Sequence, residues 1–256
     1  MARYTLPIQA PAFSPLDRRF RDVMPMQPLP ALPQTIDWAQ WLGPVRDQNI
    51  PALGECSAES GAGAIDWLYR RYRQESAFVG SSLMLYEVER MLGGQLTQDA
   101  GARLRQTQIA LQSVGTCETA LDPDVRQDFL IPITPVMIAS AARHRMREGL
   151  WCPTLLEILN ALAHPQTPTV VQLGIVVYPS FESPTVAQTG IVPIPNLTEN
   201  PLGGHAVLAY GYSIPDQVVQ VRNSWGTGWG DQGNFTLPFA YFSSPRTFLS
   251  ARAYYL

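Results

Sequence analysis

The spacing of apolar residues changes character near Pro168. Before it, Ala58, Ala62, Ile65, Leu68 and Tyr72 recur at helical intervals and give the stretch from Ser57 to about Tyr72 one apolar face. The same reading predicts helices over Ser82–Leu92, from Gly101 to Ser113 with a stop at Gly115, and from Thr154 to His164. The last of these opens with Thr154 followed by Glu157, the pattern of a capping box. After Pro168 the apolar runs are short, often β-branched and separated by Gly, Pro and Asn. Val170–Tyr178, His205–Tyr212, Gln217–Arg222 and Gly233–Pro238 therefore read as strands. Helices first and strands second predict an α+β chain of two lobes with a groove between them. Residues 1–34 are rich in proline and end in Pro28-Leu29-Pro30-Ala31-Leu32-Pro33, which excludes regular helix and predicts an extended, polyproline-like arm. The expected division is an arm over residues 1–31 and one domain over residues 32–256.

Composition narrows the function. A hydrophobic content of 46% with 15% charged residues fits a folded domain rather than a disordered chain. A net charge of −3 argues against nucleic acid or an anionic membrane as partner. All 18 basic residues are Arg, which reads as codon bias rather than function. The 3 cysteines, at 56, 117 and 152, form no Cys-x-x-Cys pair, so neither a disulfide framework nor a zinc site is expected, and no metal or cofactor. No signal-peptide core is visible at the N-terminus and no apolar stretch approaches the roughly 20 residues needed to span a bilayer. The expectation is a cytoplasmic protein with reduced thiols.

Four positions carry candidate chemistry. Cys56 lies in Gly54-Glu55-Cys56-Ser57 at the start of the longest predicted helix, where orphan N–H groups and the helix dipole favour a thiolate. Gln48, eight residues upstream, offers an amide that could share an oxyanion with the Cys56 N–H. His205 lies in Gly204-His205-Ala206-Val207 at the start of an apolar run. Asn223 ends the next run in Arg222-Asn223-Ser224-Trp225-Gly226-Thr227-Gly228-Trp229-Gly230. A Cys–His pair needs a third group to orient the imidazole, and an Asn amide sheltered from water suits that task.

In this order, and with Ile36-Asp37-Trp38, Gly43-Pro44-Val45-Arg46-Asp47-Gln48 and Gly203-Gly204-His205-Ala206-Val207 around them, the motifs resemble the papain family of cysteine peptidases over about residues 32–242. The likeness is nearest to prokaryotic members, to which Asp99-Ala100-Gly101-Ala102 and Gly115-Thr116-Cys117 are also similar. The resemblance implies a papain-like two-lobe fold, helical in the N-terminal lobe and β-rich in the C-terminal lobe, with the site in the groove. It implies Cys56 as nucleophile, His205 as base and then acid, Asn223 as orienter of His205 and Gln48 as oxyanion donor. Trp225 would shield the His205–Asn223 bond with Trp229 packed nearby, and Gly101 and Gly204 would border the substrate. The implied partner is a peptide or protein.

Three departures from the family pattern bear on activity. An aromatic usually follows the nucleophile and a cysteine precedes it by three residues, where this chain has Ser57 and Leu53. The run from Gln48 to Cys56 is two residues longer than usual and contains Pro51. Glu55 and Glu59 flank Cys56, and nearby negative charge disfavours a thiolate unless both point into solvent, which is the expectation. Alternatives to a thiol endopeptidase are an inactive binding module and a Cys-His-Asn enzyme acting on another amide, such as peptidoglycan or a protein glutamine. The arm, studded with Phe13, Phe20, Val23, Met24 and Met26, is expected to fold back over the groove and inhibit it. Cys117 and Cys152 read as structural thiols, and His144, between Arg143 and Arg145, as part of a solvated basic face.

Overall fold

The structure is a computed structural model and describes residues 14–50, 52–122 and 132–256. The chain begins with one helical turn, α1 (Phe20–Val23), and a short strand, β1 (Thr35–Asp37). Three helices follow, α2 (Cys56–Leu68), α3 (Ser82–Leu92) and α4 (Leu104–Ser113). A shorter α5 (Pro135–Ala141) and a strand, β2 (Glu148–Trp151), lead to α6 (Leu155–Leu162). The remainder is β3 (Val171–Val177), α7 (Pro184–Thr189), β4 (Gly203–Ser213), β5 (Val218–Arg222), β6 (Asn234–Pro238) and β7 (Phe248–Tyr255). The fold is α+β, as the spacing of apolar residues predicts.

Local chemistry sets the boundaries. Ser81 caps α3 by accepting the Met84 N–H at 3.0 Å. The third predicted helix starts late, at Leu104, because Gly101 has φ +68° and Gln106 reaches back to cap the Arg103 N–H at 2.6 Å. Thr154 accepts the Glu157 N–H at 3.3 Å, the first half of the expected box. Beyond Leu68, α2 runs into a π-helical turn over Tyr69–Arg73, which Gln74 ends at φ 59°.

The strands form an antiparallel sheet in the order β2-β7-β3-β4-β5-β6, with β1 added beside β4. Alternation along β4 sends Val207 and Ala209 to one face and Leu208 and Tyr210 to the other. The first face joins a core with Ile158, Phe181, Trp225, Trp229 and Phe235. The second packs against Ala58, Ile65, Leu85 and Leu111 of the helices. Two cores therefore share one sheet, and the start of α2 meets the start of β4 at their junction, where Cys56 packs with Leu104 and Ala206.

Strands β2 and β7 are absent from the sequence reading. On β7 the helix-facing positions are Ser250, Arg252 and Tyr254, a row that looks solvated but is buried. Arg252 is held there by Asp17 at 3.1 Å and by a bond to Gln108.

Two expectations about polar and N-terminal residues change. The arm is not uniformly extended, since residues 16–24 contain no proline and Phe20–Val23 make a helical turn. Phe20 is fully buried beside Leu150, Ile158 and Leu173, while Arg19 and Arg21 pair with Glu157 of α6 at 2.8 and 3.1 Å. Asp17 joins Arg105 of α4 to Arg252 of β7, both at 3.1 Å. Residues 1–13, with Phe13, lie outside the described residues, as does Pro51. His144 is buried rather than solvated. Its ring stacks on Phe78 at 4.0 Å because Tyr69 Oη donates to the Arg143 carbonyl at 2.6 Å and turns the segment inward. Among the described residues, no helix is long and apolar enough to cross a membrane.

Candidate active site

His205 is built in from both sides. On β4 it lies opposite Ile175 of β3, and its ring is stacked against Trp225 with centroids 4.8 Å apart and planes at 22°. Asn223 follows β5 directly, and its backbone N–H donates to the Gly233 carbonyl at 2.9 Å. The Asn223 side-chain oxygen accepts the Ser224 N–H at 2.9 Å, which orients the amide, and it meets His205 Nε2 at 2.8 Å. An acceptor at that distance makes Nε2 the donor and leaves Nδ1 as the basic nitrogen. Among the described residues Nδ1 is buried with no hydrogen-bond partner.

The tryptophans form the wall behind this pair. Trp225 and Trp229 meet edge to face at 5.0 Å, and Phe181 touches both at 5.6 Å. Gly226 allows the turn between them. Its φ is +75°, and a Cβ there would lie 2.8 Å from an Asp47 carboxylate oxygen. With water kept away, the Asn–His bond acts in a low dielectric, where it is strengthened.

Cys56 opens α2 after an N-cap at Glu55 that makes no side-chain cap bond. Its thiol is buried against Leu104 and Ala206, the residue after His205. Burial pushes the Cys56 thiol up to about 12, against hydrogen bonds to the backbone of Ala206 and Ser57 that favour the thiolate. Burial likewise drives His205 down to about 4, while the bond to Asn223 pulls it up. The closed site therefore holds a neutral thiol and a neutral imidazole.

Gln48, in the segment leading to α2, is tied to Ser224, the residue after Asn223. Its backbone N–H donates to the Ser224 carbonyl at 3.0 Å, and its side-chain oxygen accepts the Ser224 hydroxyl at 2.6 Å. The oxygen being taken, the amide N–H groups turn toward the loop, where one donates to the Leu53 carbonyl at 3.4 Å. At the ends of the lengthened loop the Leu53 N–H donates to the Gln48 carbonyl at 3.0 Å, and Ile50 is exposed. Gly101 donates its N–H to Tyr86 Oη at 3.1 Å, and Gly204 pairs with Val176 of β3.

The flanking acids are not in solvent. Glu55 and Glu59 are both buried, Glu59 beside Arg46 at 3.5 Å and Glu55 in the field of the buried Arg90. A third acid, Glu89, lies beneath the nucleophile. Its carboxyl accepts Ser57 Oγ at 2.6 Å and Thr107 Oγ1 at 2.5 Å. Those donors favour the carboxylate, but burial is the larger effect and raises Glu89 to about 8. Ser57, the departure from the family aromatic, thus serves as a partner for Glu89. Sequence reasoning missed Ser224 and Glu89. Ser224 stood inside a quoted motif, whereas nothing local to Glu89 signals its partner 32 residues away.

The described part of the chain contains no group of three or more His, Cys, Asp or Glu able to hold a metal ion. No protein-family model matches the chain. It is 31% identical over 196 residues to an uncharacterized peptidase C1-like protein of Acanthamoeba polyphaga mimivirus, a match covering 74% of this chain and 63% of that relative. Among solved structures it is similar to xylellain, a cysteine protease from Xylella fastidiosa, with a TM-score of 0.87, 23% identity and coverage of 100% of this chain and 98% of the other. It is also similar to digestive procathepsin L 3 of Tenebrio molitor larval midgut, with a TM-score of 0.74, 17% identity and coverage of 99% and 77%. The chain therefore shares the papain-like α+β fold of these two structures.

Proposed function

We propose that the chain is a thiol-dependent endopeptidase whose nucleophile is Cys56. The observation that carries this reading is the shielded His205–Asn223 bond of 2.8 Å, which leaves Nδ1 unoccupied on the strand whose next residue packs on Cys56. No step calls for a metal or cofactor. The proton of Cys56 passes to His205 Nδ1, and the thiolate attacks a peptide carbonyl. The carbonyl oxygen takes the negative charge and is held by the Cys56 N–H and the Gln48 amide, which Ser224 keeps oriented. The His205 imidazolium then protonates the departing amine. Water, deprotonated by His205, hydrolyses the thioester and restores the thiol.

Burial is the first cause of both the raised thiol and the lowered imidazole. Access of water or substrate polar groups to the groove weakens that cause and moves the pair toward thiolate and imidazolium. The peptidase relatives support a peptide as substrate.

The test is labelling of Cys56 by a peptidyl epoxide together with cleavage of an unstructured peptide library. Labelling that is lost in Cys56→Ala, with library cleavage, is the expected result. Labelling without peptide cleavage would transfer the site to another amide substrate, and no labelling at all would leave a binding module.

A further inference from the structure

We infer that Asp99 is a positioning residue of this site, fixing the spacing between the loop before Cys56 and the loop that carries Gly101. The inference rests on the peptidase reading for its purpose, but its geometry stands alone. The Gly54 N–H, two residues before the nucleophile, donates to both oxygens of the Asp99 carboxylate, at 2.9 and 3.1 Å. Tyr86 Oη donates to one of those oxygens at 2.5 Å and itself accepts the Gly101 N–H at 3.1 Å. One carboxylate and one phenol thus join the two backbones that would border the scissile bond.

The tyrosine is well placed to transmit position. It is fully buried on α3, and the Arg90 guanidinium lies 4.6 Å over its ring. Arg90 also donates to the Leu96 carbonyl and so pins the start of the turn leading to Asp99. Its positive charge faces Glu55, Glu87 and Asp99 together, so the carboxylate that holds Gly54 sits in a favourable field.

The need for such a clamp follows from the sequence. The loop from Gln48 to Cys56 is long, and Leu53 stands where the resembled family has a cysteine able to tether it covalently. A charge-assisted hydrogen bond on the adjacent residue does the tethering instead. The peptide unit it holds leads through Glu55 to the Cys56 N–H. A small displacement of that unit would therefore move an oxyanion donor, and catalysis is sensitive to shifts of about 1 Å.

The experiment compares Asp99→Ala, Asp99→Asn and Tyr86→Phe in the full chain. It reads hydrogen exchange at the Gly54 and Gly101 amides, Cys56 alkylation by iodoacetamide, and Cys56 labelling by a peptidyl epoxide. Asp99→Ala should speed exchange at both amides and slow epoxide labelling, each by about tenfold or more, while iodoacetamide alkylation changes by less than about threefold. Asp99→Asn, which keeps an acceptor for Gly54, should recover most of the epoxide rate. Tyr86→Phe should free only the Gly101 amide and raise the half-saturating epoxide concentration rather than lower the limiting rate. Unchanged exchange in Asp99→Ala, or an equal fall in both labelling rates, would overturn the assignment. A parent chain inert to the epoxide would remove the peptidase reading instead, and the exchange pattern would still decide whether the clamp exists.

Discussion

His205 is held neutral by its surroundings, and this has a cost in acid. Its folded value of about 4 lies below the ordinary 6.5 because burial outweighs the Asn223 bond. Between those two values the unfolded chain takes up a proton that the folded chain refuses, so stability is intact above pH 6.5 and is lost as pH falls toward 4. A shift of this size corresponds to roughly 3 kcal/mol. Denaturant titrations at pH 7 and 4.5 should show a smaller acid loss for His205→Gln than for the parent, and equal losses would clear His205 of the effect. At this scale the sequence was most legible where residues that meet in the fold lie in contiguous motifs. His205, Asn223 and Trp225 fall in two short segments joined by a hairpin, so their types and order were enough. Glu89 was not legible, because its partners Ser57 and Thr107 are brought near only by helix packing. The buried state of Glu55 and Glu59 was missed for a related reason: their cations, Arg90 and Arg46, come from other elements.

Among the elements, those with a one-sided apolar stripe were readable and those with mixed faces were not. Helix α3 has the bounds its apolar spacing predicts, Ser82–Leu92, whereas β7 hid behind Arg252 and Ser250. The packing of the three helices depends on the small face of α2. A Cβ on Gly61 would lie 2.3 Å from Thr107 Cγ2 and 3.2 Å from Leu85 Cδ2. Gly61→Ala is expected to lower stability by roughly 1–3 kcal/mol, the usual result of adding volume to a filled core. Because Thr107 is also a donor to Glu89, this variant should disturb the polar layer under Cys56. Thermal denaturation measures the first effect, and an unchanged midpoint would mean that α4 yields freely.

For the molecule as a whole, the arm and the last strand matter more than their positions in the sequence suggest. Phe20 completes the core of the β-rich lobe, so Phe20→Ala should cost about 3–5 kcal/mol, in line with other large-to-small core changes. A loss below about 1 kcal/mol, measured by denaturant unfolding, would show that the arm only rests on the surface. The proline count concealed this anchor, since it describes the arm's average and not the proline-free turn within it.

Strand β7, at residues 248–255, lies between β2 and β3 rather than at an edge of the sheet. A polypeptide still emerging from the ribosome can therefore contain Cys56, His205 and Asn223 and yet lack the strand that joins the two parts of its sheet. The sheet therefore closes onto β2 only after residues 248–255 have been made, later than Cys56, His205 and Asn223, so its last step is a long-range pairing.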